Sequence, residues 1–121
     1  MPIHKVLCVD DSETDLKQME QICSDAGFRV LTARSGEEAL DIALRERPDA
    51  MLLDVILPDI NGFEVCRQVT THAETKSTPV ILVSSKGERT DRIWGEEQGA
   101  KGYIAKPYSP EQLLEQLRAL G

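Results

Sequence analysis

Five short apolar runs alternate with five stretches whose apolar residues recur at helical spacing, and this alternation leaves few folds open. The runs fall at Lys5–Val9, Arg29–Ala33, 50–55, 79–84 and Gly102–Ala105. Between the first two, Leu16, Met19, Ile22, Cys23 and Ala26 line one face of a helix. The order βαβαβαβαβα requires crossovers, and right-handed crossovers build a parallel sheet covered by helices on both faces. The chain is therefore expected to be a doubly wound α/β domain of five parallel strands. Its 121 residues support one core and not a comfortable second, so a single domain without an output domain is expected.

Several helix starts are written as small polar residues answered three positions later: Ser35 with Glu38, Asn61 with Glu64, and Ser109 with Pro110 next and Gln112 third. Gly27, Pro48 and Gly99 mark the stops after the first, second and fourth helices. The fourth helix, over 90–98, has least to hold it, because Gly95 interrupts it and Ile93 and Trp94 are its only large apolar residues. It is a candidate for mobility.

Fourteen basic against 21 acidic residues leave a net charge of −7 with no Lys/Arg-rich run, which disfavours nucleic acid and anionic membranes as partners. A protein or a cation is the expected partner. Cys8, Cys23 and Cys66 are far apart and odd in number, as buried thiols in a reduced cytoplasmic setting would be. The opening MPIHKVLCVDD reaches acidic residues after one short apolar run, and no run approaches the ~20 residues of a membrane span. A soluble, cytoplasmic protein is expected.

The third run carries the chemistry. Met51, Leu52, Leu53 and Val55 form a continuous apolar stretch, as a strand covered on both faces requires, and Asp54 emerges where that strand ends. Open α/β sheets place their ligands at the carboxyl ends of strands. Asp10 and Asp11 follow the first strand, and in the flavodoxin-like order 2-1-3-4-5 that strand lies beside the third. Three carboxylates in one pocket repel, and stay ionised together only with a compensating cation, for which Mg²⁺ is the natural choice. Ser84 ends the fourth strand and Lys106 follows the fifth, so three carboxylates are balanced in formal charge by Mg²⁺ and one lysine. Such a pocket suits phosphoryl transfer to Asp54 as the carboxylate nucleophile. Singly each residue has an ordinary explanation: a turn or cap aspartate, a loop serine, a solvated lysine. Together, at the ends of four strands, they form a constellation.

These residues resemble the receiver domain of two-component response regulators of the CheY type. The likeness runs through VDDS after the first strand, LLDVILPDINGFEV around Asp54, PVILVSS ending near Ser84, and GAKGYIAKP with Tyr103, Lys106 and Pro107. The resemblance implies that Asp54 is the phosphoacceptor and that Asp11, Asp54 and the Ile56 carbonyl hold Mg²⁺, with Asp10 assisting through water. It implies that Ser84 and Lys106 clasp the phosphoryl group, that Gly62 permits the turn after the acceptor loop, and that the Lys106–Pro107 bond is cis. Ser84 and Tyr103 would be the switch pair that reshapes the face of helix four, strand five and helix five. The implied partners are a sensor histidine kinase or histidine phosphotransfer domain and an output protein. A monomer is expected, with phosphorylation-linked dimerisation open.

The stretch TDRIWGEEQGAKGYIAKP, preceded by SSKGER, is most similar to stand-alone regulators of type IV pilus twitching, the PilH type. Ser85 stands where receivers commonly carry a smaller residue. Ile56, two residues after the acceptor, and Lys86 offer no base to water, so slow self-hydrolysis of the aspartyl phosphate is expected. The chain would catalyse only its own phosphorylation and dephosphorylation, signalling by docking or draining phosphoryl groups from a shared kinase as a sink. A small Mg²⁺-dependent phosphatase with an aspartyl-phosphate intermediate is the enzyme alternative, but Val55 and Ile56 supply no second acid. A flavin or nucleotide module on this fold lacks its glycine-rich loop after the first strand. Lys86, Arg89, Arg92 and Trp94 are a candidate contact for an acidic partner surface, or a solvated face.

Overall fold

The computed structural model describes residues 2–121. Its elements are β1 (Lys5–Val9), α1 (Glu13–Asp25), β2 (Arg29–Ala33), α2 (Gly36–Glu46), β3 (Ala50–Asp54), α3 (Gly62–Thr71), β4 (Val80–Ser84), α4 (Arg89–Glu97), β5 (Gly102–Ala105) and α5 (Pro110–Leu120). The five strands pair in parallel in the order β2-β1-β3-β4-β5, the expected doubly wound arrangement. Among the described residues no helix is long and apolar enough to cross a membrane.

Successive residues of a strand face opposite sides of its sheet, and here both sets are apolar. Leu7, Val9, Met51, Leu53, Val80, Leu82 and Tyr103 pack with Ala39 and Ala43 of α2 and Val65, Cys66 and Val69 of α3. Val6, Cys8, Leu52, Ile81, Val83 and Ile104 pack on the other side with Leu16, Met19 and Cys23 of α1 and Leu113 and Leu117 of α5. The three cysteines are free and buried.

Ser35 accepts from the Glu38 N–H, and Ser109 and Gln112 form a reciprocal capping box. The Asn61–Glu64 pairing is corrected: Asn61 accepts from the Phe63 N–H, while the Glu64 carboxylate turns outward to Arg67. β3 ends at Asp54, one residue before the expected limit, and β4 begins at Val80, one residue after it, because Pro79 has no N–H to donate. Gly27 and Gly99 both sit at φ 96°, beyond the ends of their helices.

Gly95 does not break α4. It lies buried within the helix, where a Cβ would meet Leu82 Cδ1 at 2.7 Å and the Tyr103 ring at 3.3 Å. The missing side chain lets α4 lie directly on β4 and on Tyr103. Gly62 is also required by proximity: a Cβ there would sit 2.1 Å from the Asp54 carbonyl oxygen and 2.6 Å from Val55 Cα. Its own N–H donates to the Val55 carbonyl at 2.7 Å, closing the 55–61 loop against the end of β3. Backbone cannot yield as a flexible side chain can, so Gly62→Ala is expected to lower unfolding free energy by about 3 kcal/mol in urea denaturation. Loss of under about 1 kcal/mol would show that the loop relaxes freely.

Candidate functional site

Alternation along the strands decides which side chains meet. Continuing the pattern past the strand ends puts Asp10, Asp54 and Lys106 on the side of the sheet covered by α1 and α5. There the Lys106 ammonium touches three carboxylates: Asp10 Oδ2 at 2.7 Å, Asp15 Oδ2 at 2.9 Å and Asp54 Oδ2 at 3.2 Å. Backbone bonds fix the frame, with the Asp10 N–H donating to the Ala33 carbonyl and the Lys106 N–H to the Ser84 carbonyl at 2.9 Å. The Lys106–Pro107 peptide bond is cis.

Asp10 is fully buried and Asp54 nearly so, while Asp11 is exposed at the rim. Burial first, and then the neighbouring Asp10 charge, push the Asp54 carboxyl up to about 6. Lys106 and the Ile56 N–H, which donates to Asp54 Oδ1 at 3.2 Å, pull it the other way. Burial works against the Lys106 ammonium, but its bonds to Asp10 and Asp15 prevail and hold the lysine firmly charged.

One carboxylate oxygen from each of Asp10, Asp11 and Asp54 lies within 4.8 Å of the others. An octahedral Mg²⁺ with ligands at about 2.1 Å spaces adjacent and opposed oxygens by about 3 and 4 Å, so small rotations close this all-oxygen set on the ion. The donor chemistry fits a hard divalent cation. Ile56 is tied to the site through its N–H, and its side chain is half exposed beside Asp54.

Ser84 and Tyr103 point to the other side of the sheet, toward α4. The Ser84 hydroxyl is buried and accepts from the Lys86 N–H at 3.1 Å. The Tyr103 hydroxyl donates to the Lys86 carbonyl. Both side chains therefore hold the backbone of one residue of the β4–α4 loop, Ser84 at the Lys86 N–H and Tyr103 at the Lys86 carbonyl. Arg92 lies over the Tyr103 ring, 5.9 Å from its centroid, and Trp94, Lys86 and Arg89 are exposed nearby.

The 55–61 loop is held at its far end by Asp59, whose two oxygens accept from the Gly36 and Glu37 N–H groups at 2.8 and 2.9 Å. These are free donors of the α2 N-terminus, and they hold the Asp59 carboxyl below its usual range. Neither Asp59 nor Asp15 was among the expected site residues. Asp15 had a readable signal: it stands three residues after the cap Ser12, on the first turn of the helix that follows the Asp10–Asp11 edge.

With this geometry in place, the relatives are informative. A family model described as response regulator receiver domain matches residues 6–118. Protein PilH of Pseudomonas aeruginosa is 40% identical over 116 residues, spanning 96% of each chain. Chemotaxis protein CheY4 of Vibrio cholerae superposes with a TM-score of 0.92 at 34% identity, covering 98% of this chain and 99% of that one. A CheX–CheY–BeF3–Mg complex from Borrelia burgdorferi gives 0.91 at 29% identity, covering 97% and 88%. The chain spans about half the length of other regulators it also matches, two of them transcriptional regulators. It belongs to the response regulator receiver domain family.

Proposed function

We propose that residues 1–121 form one receiver domain that works as a phosphorylation-operated binding switch, with Asp54 accepting the phosphoryl group of a histidine kinase or histidine phosphotransfer domain. The observation that carries this reading is the Lys106 ammonium lodged between Asp10 and Asp54 at the end of the sheet. An Asp54 oxygen attacks phosphorus, the bond from phosphorus to the donor imidazole nitrogen breaks, and the imidazole leaves with a proton. Asp10, Asp11, Asp54 and the Ile56 carbonyl would hold Mg²⁺, which when bound offsets charge on the transferring oxygens. Lys106 shifts its donors to the phosphoryl oxygens, and the Ser84 hydroxyl donates to another.

The readout follows from the shared hold on Lys86. A Ser84 hydroxyl drawn to the phosphoryl group leaves the Lys86 N–H, and the Lys86 backbone, which Tyr103 grips at its carbonyl, is then free to move. The α4/β5/α5 face, with Tyr103 and Arg92, is the surface so reshaped. The Borrelia complex, in which a CheY is bound to CheX, supports docking to a second protein as the output. The likeness to PilH supports a chemosensory or twitching-motility pathway. The domain's only catalysis is on its own acyl phosphate.

Incubation with acetyl phosphate is expected to add a single phosphoryl mass only with Mg²⁺, never to Asp54→Asn, and the adduct is expected to outlast seconds because Ile56 and Lys86 offer water no base. No adduct on folded protein would contradict the reading.

Asp54 also carries a cost that can be measured without any donor. Burial and the Asp10 charge push its carboxyl up to about 6 in the folded state from 3.8 ordinarily, so above pH 6 only the folded state is penalised for ionising it. The penalty vanishes as pH falls from 6 to 3.8, where both states bind the proton. In Mg²⁺-free buffer at pH 7.5, Asp54→Asn is therefore expected to be about 3 kcal/mol more stable than wild type by denaturant unfolding. The gap should shrink steadily toward pH 4, and a variant less stable at pH 7.5 would refute the assignment.

A further inference from the structure

The bond between Lys106 and Asp15 has no task in the transfer just described. Asp15 is the third residue of α1. A side chain at that position can fold back onto the N–H of its own cap and close a capping box. Gln112 does so in α5, at 2.8 Å from the Ser109 nitrogen, and Asp91 does so in α4, at 3.3 Å from that of Glu88. In α1 the corresponding Ser12 N–H is already bound by Asp10 Oδ1 at 2.9 Å, while the Ser12 hydroxyl accepts from the Asp15 N–H. The Asp15 carboxylate is thereby released from its own helix end, and it reaches across to Lys106 at 2.9 Å.

An ammonium has three hydrogens, and three carboxylates take them here. Two of those acceptors change character in the reaction: Asp54 becomes an acyl phosphate, and Asp10 belongs to the carboxylate set that suits a cation. Asp15 stands outside that set, on a helix anchored by its own cap. Its bond alone can persist throughout. Resting on the receiver reading above, we infer that Asp15 is a positioning residue that keeps Lys106 aimed at the acceptor while Asp54 and Asp10 let it go. A lysine has four rotatable side-chain bonds, and freezing them during transfer is costly unless something already holds the ammonium. Held by one hydrogen, it keeps two for phosphoryl oxygens. An acid in a first helical turn also favours the helix dipole, but that contribution appears in stability and not in the rate of transfer.

The test follows phosphorylation of the whole chain by acetyl phosphate at saturating Mg²⁺, by intact mass, for wild type, Asp15→Ala, Asp15→Asn and Asp54→Asn. Thermal unfolding of each is measured alongside. Asp15→Ala is expected to react roughly tenfold more slowly, the scale of losing a partner that orients a site residue. Asp15→Asn, whose amide oxygen still accepts from the ammonium, is expected to react at close to the wild-type rate. An Ala variant as fast as wild type would overturn the inference, as would an Asn variant as slow as the folded Ala variant, which would make charge and not tethering the cause. Either variant outrunning wild type would also overturn it, showing that the carboxylate restrains the lysine. Absence of an adduct on wild type would overturn the receiver reading and this inference together, whereas equal rates on a reactive wild type overturn only the tether.

Discussion

Lys106 is the interaction on which the carboxyl edge of the sheet depends. Asp10 is fully buried and Asp54 nearly so, and each would otherwise face mainly the other's negative charge. Taking an ionised carboxylate out of water costs several kcal/mol unless a partner compensates it. The ammonium at 2.7 Å from Asp10 and 3.2 Å from Asp54 is that partner. It holds the edge together, and because a bound cation would take over the same task, the lysine can be released toward a phosphoryl group.

The strand alternation separates chemistry from readout. On the α1 and α5 side stand Asp10, Asp15, Asp54 and Lys106; on the α4 side stand Ser84 and Tyr103. The two sides join where the Lys106 N–H donates to the Ser84 carbonyl at 2.9 Å, and on the α4 side Ser84 and Tyr103 are linked by Lys86, held at its N–H by one and at its carbonyl by the other. Gly95 lets α4 rest on the Tyr103 ring, so a change in that ring's position would be felt by the helix at once.

The layers were legible because both faces of the central strands had to be apolar, and the runs around Leu7, Leu52 and Ile81 say so residue by residue. Asp10, Asp54, Ser84 and Lys106 could be placed at one edge because strand order alone does that. What escaped are contacts that local patterns misassign. Asp15 looks like a capping acid until the competing Asp10–Ser12 bond is seen, and Gly95 looks like a helix breaker until Leu82 and Tyr103 are seen beneath it. The Ser84–Lys86–Tyr103 connection runs through the Lys86 backbone, which no side-chain pattern reports. The receiver likeness was itself legible in the motifs around Asp10, Asp54, Ser84 and Lys106, and the relatives bear that family out.

The most direct measurement is a crystal structure with Mg²⁺ and trifluoroberyllate as the phosphoryl mimic. The account predicts beryllium on an Asp54 oxygen and the cation among Asp10, Asp11 and Asp54. It further predicts Lys106 moved from Asp54 to a fluorine while still bound to Asp15, and the Ser84 hydroxyl withdrawn from the Lys86 N–H. A mimic bound at Asp54 with Lys106 still clasping Asp10 and Asp54, and Ser84 still on Lys86, would contradict it.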